Sequence, residues 1–294
     1  MRAPDCMLVR FGEITLKSKQ VQKVWLDRFF TNVRQGLDAK KIDYKLAMNP
    51  SRLFVYTKNI DKTIDVLKKT FGITSFSYVW TCIPDIPDMK KLGAELAEHI
   101  KLKNKKSFAI RARRSGSHGF TSQDIGIEVG DAVNIKTGVK VNLTNPDQEI
   151  FVECRHDKAY IFYDRISGPG GMPLGTAGKS MAVISDENSV VAAWMIMKRG
   201  CWLGVVADKK NSKLVKKLEE WHAGKKMEIH YDEDPIEAAW ENRFKVMVVN
   251  EKVGKGLLDK MYDKKMLVLR PLVGLKPAEI KQYLAVINSK PVVK

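Results

Sequence analysis

The chain of 294 residues is 44% hydrophobic and 29% charged, an ordinary globular composition with room for about two or three domains. Its 51 Lys and Arg exceed its 34 Asp and Glu, and the resulting net charge of +17 predicts a polyanionic partner, nucleic acid first. The sequence shows no apolar run of membrane-spanning length, no basic amphipathic helix and no signal peptide, which predicts a cytoplasmic protein without membrane contacts.

Residues 1–82 are predicted to form a ferredoxin-like domain. Apolar side chains at helical spacing predict a helix over 19–37, and a second helix over 61–70 is expected to be capped by Asp61 and ended at Gly72. Extended patterns predict strands at 6–10, 42–48, 52–57 and 75–82, with a turn at Asn49–Ser51 between the middle two. The order β-α-β-β-α-β is that of a ferredoxin-like unit.

Residues 83–167 are predicted to form a second α/β domain, entered through Pro84 and Pro87. Helices are expected over 89–100 and 122–134, and strands from 107, at 140–143, at 149–155 and at 159–163. In the last two strands the alternation of apolar residues predicts one buried face and one face open to solvent or to a partner.

A basic stretch in this second domain is the first candidate site. From Lys101 to Arg114 the sequence has seven Lys or Arg and no acid, and the turn before the helix at Thr121 contains Gly116 and Gly119. Guanidinium groups and the first N–H groups of a helix bind phosphate well, and glycines let a backbone approach a ligand closely. A solvated basic face is the plainer alternative; the glycines favour a phosphate-contact site.

Residues 168–179 contain five glycines and two prolines, which predicts a linker or a loop wrapped around a ligand. A P-loop reading of Gly178–Ser180 is rejected, because Pro173 stands where its first glycine belongs and a strand follows.

Residues 180–294 are predicted to form a Rossmann-like, mostly parallel sheet. Strands are expected at 181–184, 203–207, 227–231 and 267–269, and helices over 189–199, 213–223, 235–250 and 277–287. Ligands of such sheets bind beyond the carboxyl ends of the strands, here after Ile184 and Ala207.

Other chemistries have weak support, and neither a catalytic residue nor a metal site is predicted. The four cysteines are widely spaced and are expected to be buried free thiols: Cys6, Cys82, Cys154 and Cys201. Acidic residues near the third strand of the last domain suit either Mg²⁺ or, more simply, a helix cap: Asp232, Glu233, Asp234 and Glu237. Four tryptophans are expected to pack that domain: Trp194, Trp202, Trp221 and Trp240.

Several separate motifs, in order, resemble the tRNA 4-thiouridine sulfurtransferase (ThiI) family. The stretch FAIRARRSGSHGFTSQDIGIEVGDAV, the NPD turn at Asn145–Asp147 and GPGGMPLG at Gly168–Gly175 are similar to its THUMP domain. VRFGEITLKSK (Val9–Lys19) and FGITSFSYV (Phe71–Val79) resemble its ferredoxin-like domain, and the similarity continues to Arg270-Pro271-Leu272. It therefore covers nearly the whole chain.

The resemblance implies a ferredoxin-like domain, a THUMP RNA-binding domain and a C-terminal Rossmann-like domain of the PP-loop ATPase type. It implies that the chain grips tRNA at the acceptor end with its single-stranded 3′ terminus. It also implies a homodimer and, as a further partner, a cysteine desulfurase or an active sulfurtransferase. RNA contacts are expected from Arg10, Lys17, Arg52, Arg111, Arg113, Arg114, Ser117, His118 and Lys179.

The family's ATP loop is altered in this chain. In the family the loop reads SGGxDS and its glycine amides hold the pyrophosphate of ATP, whereas Asp186 and Glu187 stand at the glycine positions here. Two carboxylates add like charge against a triphosphate, so the site for ATP and Mg²⁺ is expected to be degraded. Positions matching the family's nucleotide contacts are Val183, Ile184, Ser185, Asn188, Ser189, Ala207 and Asp208.

Two further departures concern the family's sulfur chemistry. Residues 251–265 replace its Gly/Ser/Gln-rich segment, and the sequence reaches Lys294 before the region of its persulfide-carrying cysteine; Cys201 is expected to pack. The expected function is tRNA binding by a ThiI-like protein of 4-thiouridine modification with a degraded ATP site. The alternative is an active ATP-dependent tRNA uridine sulfurtransferase with an atypical loop and a cysteine supplied by a partner.

Overall fold

The computed structural model describes residues 1–49, 52–250, 259 and 264–289. Packing divides the chain into two units: Met1–Val9, Lys45–Thr57 and Ser75–Ile166 form the first, and Arg10–Tyr44, Lys58–Thr74 and Ser167–Lys294 the second. Part of the predicted turn at Asn49–Ser51 and most of the replaced segment 251–265 lie outside the described residues. None of the helices in the described ranges is both long and apolar enough to cross a membrane.

A nine-stranded sheet underlies the first unit, and its order is β2-β3-β1-β4-β8-β7-β5-β6, with β9 paired to β4. The first four strands have the predicted ferredoxin-like order. Antiparallel pairing of Trp80 with Ile161 joins β4 to β8, so one sheet runs through both predicted N-terminal domains. In chain order the strands are β1 (Cys6–Phe11), β2 (Lys45–Asn49), β3 (Arg52–Tyr56), β4 (Ile73–Cys82), β5 (Ser107–Arg114), β6 (Lys140–Val141), β7 (Gln148–Cys154), β8 (Ala159–Phe162) and β9 (Ile166–Ser167).

Two amphipathic helices cover the β5-β7-β8 part of this sheet. We label them α3 (Ile86–His99) and α4 (Ser122–Thr137), and their apolar faces bury Met89, Leu96 and Val129 against the strands. Helix α3 begins three residues before its predicted start, because the Asp85 carboxylate accepts the N–H of Asp88 at 2.8 Å and proline is tolerated in a first turn.

Strand β8 is buried on both faces, so the predicted open face is wrong there. Ala159 and Ile161 join the core beneath α3 and α4, whereas Tyr160 and Phe162 pack with Leu8 in a second cluster. The alternation of apolar residues indicates which residues share a face of the strand. It does not indicate whether residues from other strands bury the second face.

A five-stranded, fully parallel sheet forms the centre of the second unit, as predicted. Its order is β12-β11-β10-β13-β14. The strands are β10 (Lys179–Ile184), β11 (Trp202–Ala207), β12 (Glu228–Tyr231), β13 (Val246–Val248) and β14 (Leu267–Leu269). The helices of this unit are α1 (Lys19–Ala39), α2 (Ile60–Lys68), α5 (Glu187–Lys198), α6 (Ser212–Glu219), α7 (Pro235–Glu241) and α8 (Pro277–Ile287).

Two helix predictions in this unit need correction. The helix predicted over 235–250 ends at Glu241 in the structure, since Arg243 has a φ of 57° and the β-branched run that follows forms β13 in the middle of the sheet. Helix α2 is capped by Asn59, and Asp61 lies in its first turn, where a negative charge still favours the helix N-terminus.

The core of the second unit contains an aromatic cluster of Phe71, Trp194 and Trp221, with ring centroids 5.2–5.5 Å apart. Trp202 packs partly buried against it. Trp240 is 57% exposed, so its predicted packing role is wrong; it follows the last apolar position of α7 that faces the sheet.

Residues 168–178, most of the predicted linker or ligand loop at 168–179, pack against the protein in the structure. Their backbone is hydrogen-bonded to the protein at several points, including Gly168 N–H to Thr74 O at 3.0 Å and Met172 N–H to Lys198 O at 2.9 Å. Gly175 has a φ of +91°, and a Cβ there would overlap the indole nitrogen of Trp202. Glycine is needed here for close backbone packing against the protein itself.

Candidate nucleic-acid interface and nucleotide loop

Two exposed arginines of the first unit lie at the carboxyl end of β5. This strand pairs in parallel with β7 in a register that places Arg113 beside Glu153 and Arg114 beside Cys154. Burial falls along β5, so that Phe108 is fully buried while Arg113 and Arg114 are exposed. The strand therefore ends in two consecutive exposed arginines, whose side chains leave opposite faces of the sheet.

The chain turns immediately after these arginines, and we call residues 113–120 the arginine turn. Ser115 donates its N–H to Cys154 O at 2.9 Å, and the Arg114 side chain donates to Gly116 O at 2.8 Å. Gly116 has a φ of +95°, which favours glycine at this position. The half-buried ring of His118 stacks on Phe120 with centroids 5.2 Å apart, and Ser117 beside it is exposed.

The N-terminus of α4 has a capping carboxylate of its own, which competes with a phosphate for the helix end. Thr121 and Asp124 form a capping box: Asp124 N–H donates to Thr121 Oγ1 at 3.2 Å, and Thr121 N–H donates to the Asp124 carboxylate at 2.7 Å. Hydrogen bonds from Thr121 lower the pKa of Asp124, so the helix end already holds its own anion. Phosphate contacts at this turn therefore depend on the arginines.

The third predicted arginine of β5 has a carboxylate partner. Arg111 Nε donates to Glu149 Oε1 at 2.6 Å from a half-exposed position. Nearby, Arg165 lies 4.2 Å from the ring centroid of Phe151, a residue in register with Arg111 on β7. A cleft of about 800 Å³ is lined by these four side chains among others. Arg165 was missed by sequence reasoning, because only the strand register brings it beside Arg111.

A buried carboxylate holds two further arginines in the first unit. Glu153 is 7% exposed; it accepts from Arg155 Nη2 at 3.1 Å and pairs with Arg52 Nη2 at 3.6 Å. Arg52 and Arg155 together neutralise this buried charge. Arg155 also went unpredicted, for the same reason as Arg165.

The remaining predicted RNA contacts lie in the second unit. Arg10 is only 8% exposed, so its predicted phosphate contact conflicts with its burial. Lys17 is exposed with its ammonium 4.9 Å from the ring of Trp25. Lys179 donates to Asn242 O at 2.8 Å and lies 4.3 Å from the ring of Phe244, which uses part of its hydrogen-bonding capacity within the protein.

The nucleotide-edge residues are brought together by the parallel sheet. Ile184 and Ala207 end β10 and β11 in register with each other, and Asn211 donates to Ile184 O at 3.3 Å. Val183 precedes them half-buried, Asp208 pairs with Lys210 at 2.9 Å, and Asn188 is half-buried in the first turn of α5. The sheet edge where nucleotides bind in this fold class is therefore intact.

The loop at that edge, residues 185–189, holds three of its backbone N–H groups in internal hydrogen bonds, and we call it the nucleotide loop. Ser189 Oγ accepts the N–H groups of Ser185 at 3.0 Å and Asp186 at 3.1 Å, and it donates to Asp186 O at 2.6 Å. The Asp186 carboxylate accepts the Ser189 N–H at 2.8 Å and the Asn250 side-chain amide at 2.9 Å. Three backbone amides of the loop are therefore bonded to a hydroxyl and a carboxylate.

Charge at the nucleotide loop also disfavours a triphosphate. Asp186 stands at the N-terminus of α5, where a bound phosphate would otherwise be stabilised by the helix dipole. Glu187 follows it and pairs with Lys217 at 3.1 Å. Two carboxylates therefore lie at the end of the sheet where the resemblance places the phosphates of ATP.

The acidic residues after β12 are used within the protein. Asp234 caps α7 by accepting the N–H groups of Ile236 at 2.9 Å and Glu237 at 3.0 Å, which confirms the helix-cap interpretation. Asp232 accepts the N–H of Lys209 at 2.9 Å, and Glu233 contacts His230 at 3.0 Å. Across the described ranges, no group of three or more His, Cys, Asp or Glu is arranged to hold a metal ion.

All four cysteines are free thiols with raised pKa values. Burial raises the pKa of Cys6 and Cys82 to about 12, and it also raises the pKa of Cys154 and Cys201. Cys82 and Cys201 are half-buried, not fully buried as predicted. A protonated thiol is a poor nucleophile, so burial lowers the thiolate fraction of all four cysteines.

Family models match three consecutive segments of the chain. The ThiI ferredoxin-like domain matches residues 6–77, the THUMP domain residues 84–164, and the thiamine biosynthesis protein (ThiI) model residues 175–290. A probable tRNA sulfurtransferase of Methanobrevibacter smithii is 36% identical over 67% of this chain and 52% of its own length. A probable tRNA sulfurtransferase of Methanothermobacter thermautotrophicus is 35% identical over 75% of this chain and 59% of its own.

The chain thus spans about half the length of the curated relatives it matches. Among solved structures, PH1313 from Pyrococcus horikoshii is 26% identical with a TM-score of 0.82, covering 94% of this chain and 97% of that one. A 4-thiouridine synthetase in complex with RNA and ATP is 23% identical with a TM-score of 0.82, covering 98% of this chain and 85% of that one, and shows the shared fold.

Proposed function

The chain belongs to the ThiI family, and on that premise we propose that it is a tRNA-binding member acting in 4-thiouridine modification, which holds the tRNA acceptor end without using ATP itself. The relatives are named probable tRNA sulfurtransferases, and a role in the same modification is proposed for this chain. The arginine turn is the proposed grip on the single-stranded 3′ terminus, and the nucleotide loop is the proposed remnant of the ATP site.

One observation carries the RNA-binding part: Arg113 and Arg114 are exposed side by side at the end of β5, within the segment that matches the THUMP domain. Two guanidinium forks suit phosphate oxygens, and the stacked rings of His118 and Phe120 lie where unpaired bases could stack. A solved protein of the same fold was crystallised with RNA, and the net charge of +17 supports a polyanionic ligand.

The absence of ATP use rests on the nucleotide loop. Ser189 Oγ and the Asp186 carboxylate bind three of the loop's backbone N–H groups, and the carboxylate adds one negative charge to the site. The second candidate is an active sulfurtransferase with a partner-supplied cysteine, favoured by the intact register of Ile184 with Ala207. With either candidate function we propose that the chain forms a homodimer. We also propose a further partner, either a cysteine desulfurase or an active sulfurtransferase.

Titration of a fluorescent tRNA transcript with the double variant Arg113→Ala, Arg114→Ala tests the RNA grip. We expect a loss of affinity of at least roughly tenfold and a salt slope flatter by about 1.5, since each lost phosphate contact removes about 0.7 to 0.9 from that slope. Lys213→Ala with Lys216→Ala, on the exposed face of α6, is the matched control for charge. Equal binding by the two double variants would overturn the assignment.

A further inference from the structure

A second cluster of cations lies at the opposite end of β5 from the arginine turn, and we call it the lysine shelf. It comprises five exposed lysines: Lys101, Lys103, Lys105, Lys106 and Lys140. The first four precede β5, and Lys140 pairs with Ser107 at the start of that strand. The basic run that is continuous in sequence is therefore divided by the strand into two sites.

The distance between the two sites follows from the strand. Seven residue steps separate Ser107 from Arg114, which at about 3.3 Å per step places the ends roughly 23 Å apart. Because β5 is hydrogen-bonded to β6 and β7 on both sides, this spacing is fixed. A ligand that touches both sites must be an extended polyanion.

The shelf has no local neutralisation. Within the parts of the chain that the structure describes, none of its five lysines has an ion-pair partner, although the neighbouring Lys136 pairs with Glu98 at 3.2 Å. Of the acids near the shelf, Glu98 pairs with Lys136, and Asp147 accepts the backbone N–H of Lys106 at 2.8 Å. Like charges this close repel one another within a screening length of about 10 Å, so the surface favours a bound polyanion.

The backbone of the shelf is held in place. Leu102 is fully buried, and Lys105 N–H donates to its carbonyl at 2.8 Å, closing a short 3-10 turn. Lys101 begins that turn with a φ of 53°, an uncommon conformation for a residue other than glycine. Asp147 pins the other side through its bond to Lys106, and its N–H donates to Ser107 Oγ at 3.3 Å. The lysines thus emerge from fixed points.

We propose that the lysine shelf is a second RNA contact that binds the phosphate backbone of a base-paired stem, while the arginine turn holds the single-stranded end. This inference rests on the proposed function and deepens it. A lysine carries a point charge at the end of a long, flexible side chain, which suits the sequence-independent phosphate backbone of a duplex. The arginine turn instead offers planar guanidinium groups and aromatic rings, which suit an unpaired strand. The spacing of roughly 23 Å spans on the order of seven steps of a double helix at about 3.4 Å each.

Two RNAs separate the two contacts: a hairpin with a single-stranded 3′ overhang, and the same hairpin with a blunt end. The shelf variant is Lys103→Glu, Lys105→Glu, Lys106→Glu, and the control with equal charge change is Lys213→Glu, Lys216→Glu, Lys281→Glu, all at exposed positions. We expect the shelf variant to lose at least roughly tenfold in affinity for both RNAs and about 2 to 3 units of salt slope. The Arg113→Ala, Arg114→Ala variant should lose affinity for the overhang hairpin only.

Binding of both hairpins by the shelf variant with the affinity and slope of the control would overturn the inference and leave the proposed function standing. Failure of the unaltered protein to bind either hairpin or tRNA would overturn the proposed function itself. Circular dichroism of each variant checks that a loss of affinity is not a loss of folding.

Discussion

Ser189→Ala tests whether the nucleotide loop is held together by its own side chains. Ser189 is 2% exposed, and its hydroxyl accepts two backbone N–H groups and donates to one carbonyl. In the variant, the N–H groups of Ser185 and Asp186 lose their acceptor, and a buried N–H without an acceptor costs about 1–3 kcal/mol. Because Ser185 is exposed and its N–H can bind water instead, we expect the free energy of unfolding to fall by about 2 to 3 kcal/mol. For a domain of this size that lowers the melting temperature by roughly 4 to 10 °C.

Ser185→Ala is the matched control, because it makes the same chemical change four residues away at an exposed position. A surface change of this kind is expected to stay within about 0.5 kcal/mol. Since the two units could unfold separately, hydrogen exchange of the amides of α5 should accompany thermal melting and show faster exchange only in Ser189→Ala. If the two variants melt and exchange alike, the hydroxyl does not organise the loop.

Two further predictions concern packing and protonation in the second unit. Gly175→Ala should destabilise the protein by at least about 2 kcal/mol, because its methyl group would collide with Trp202. The control Gly178→Ala is also at positive φ but has no atom within 4 Å of the new methyl group, so it should cost about 1 kcal/mol. Equal midpoints of the two variants in urea unfolding would contradict this interpretation. Burial lowers the pKa of His222, so the unfolded chain binds a proton that the folded chain does not, and stability present above the ordinary histidine pKa of about 6.5 is lost as pH falls below it. Between about pH 7.5 and 5.5 the melting temperature of His222→Gln should therefore fall less than that of the unaltered protein, and an equal fall would contradict the assignment.

The order of elements could be predicted from sequence because periodicity and turn chemistry agree locally in most of the chain. The ferredoxin-like order and the parallel sheet of the second unit follow from such patterns. The helix predicted over 235–250 failed because its second half is an apolar, β-branched run whose sheet neighbours, β10 and β14, lie far away in the sequence. For residues 168–178, the glycines indicate a close backbone approach, but the sequence does not show that Trp202 is the group approached at Gly175.

The candidate site was only half predictable. Arg113 and Arg114 were placed correctly at an exposed strand end, because burial follows alternation and distance from the core. The pairing of Arg111 with Glu149 and of Arg52 with Glu153 depends on strand register between distant segments, which no local pattern encodes. The sequence shows that the loop is altered at Asp186 and Glu187. Only the folded structure shows that the Ser189 hydroxyl accepts hydrogen bonds from two backbone amides of the loop.

The most direct test of the central claim is calorimetric titration of ATP with Mg²⁺ into the protein already loaded with tRNA. The account predicts tight, salt-sensitive tRNA binding and no saturable heat from ATP at concentrations up to about 1 mM, the upper range of ordinary enzyme affinities. A saturable heat with ATP in that range would show that the nucleotide loop opens to accept a triphosphate, and it would contradict the proposal that Ser189 and Asp186 have closed the site.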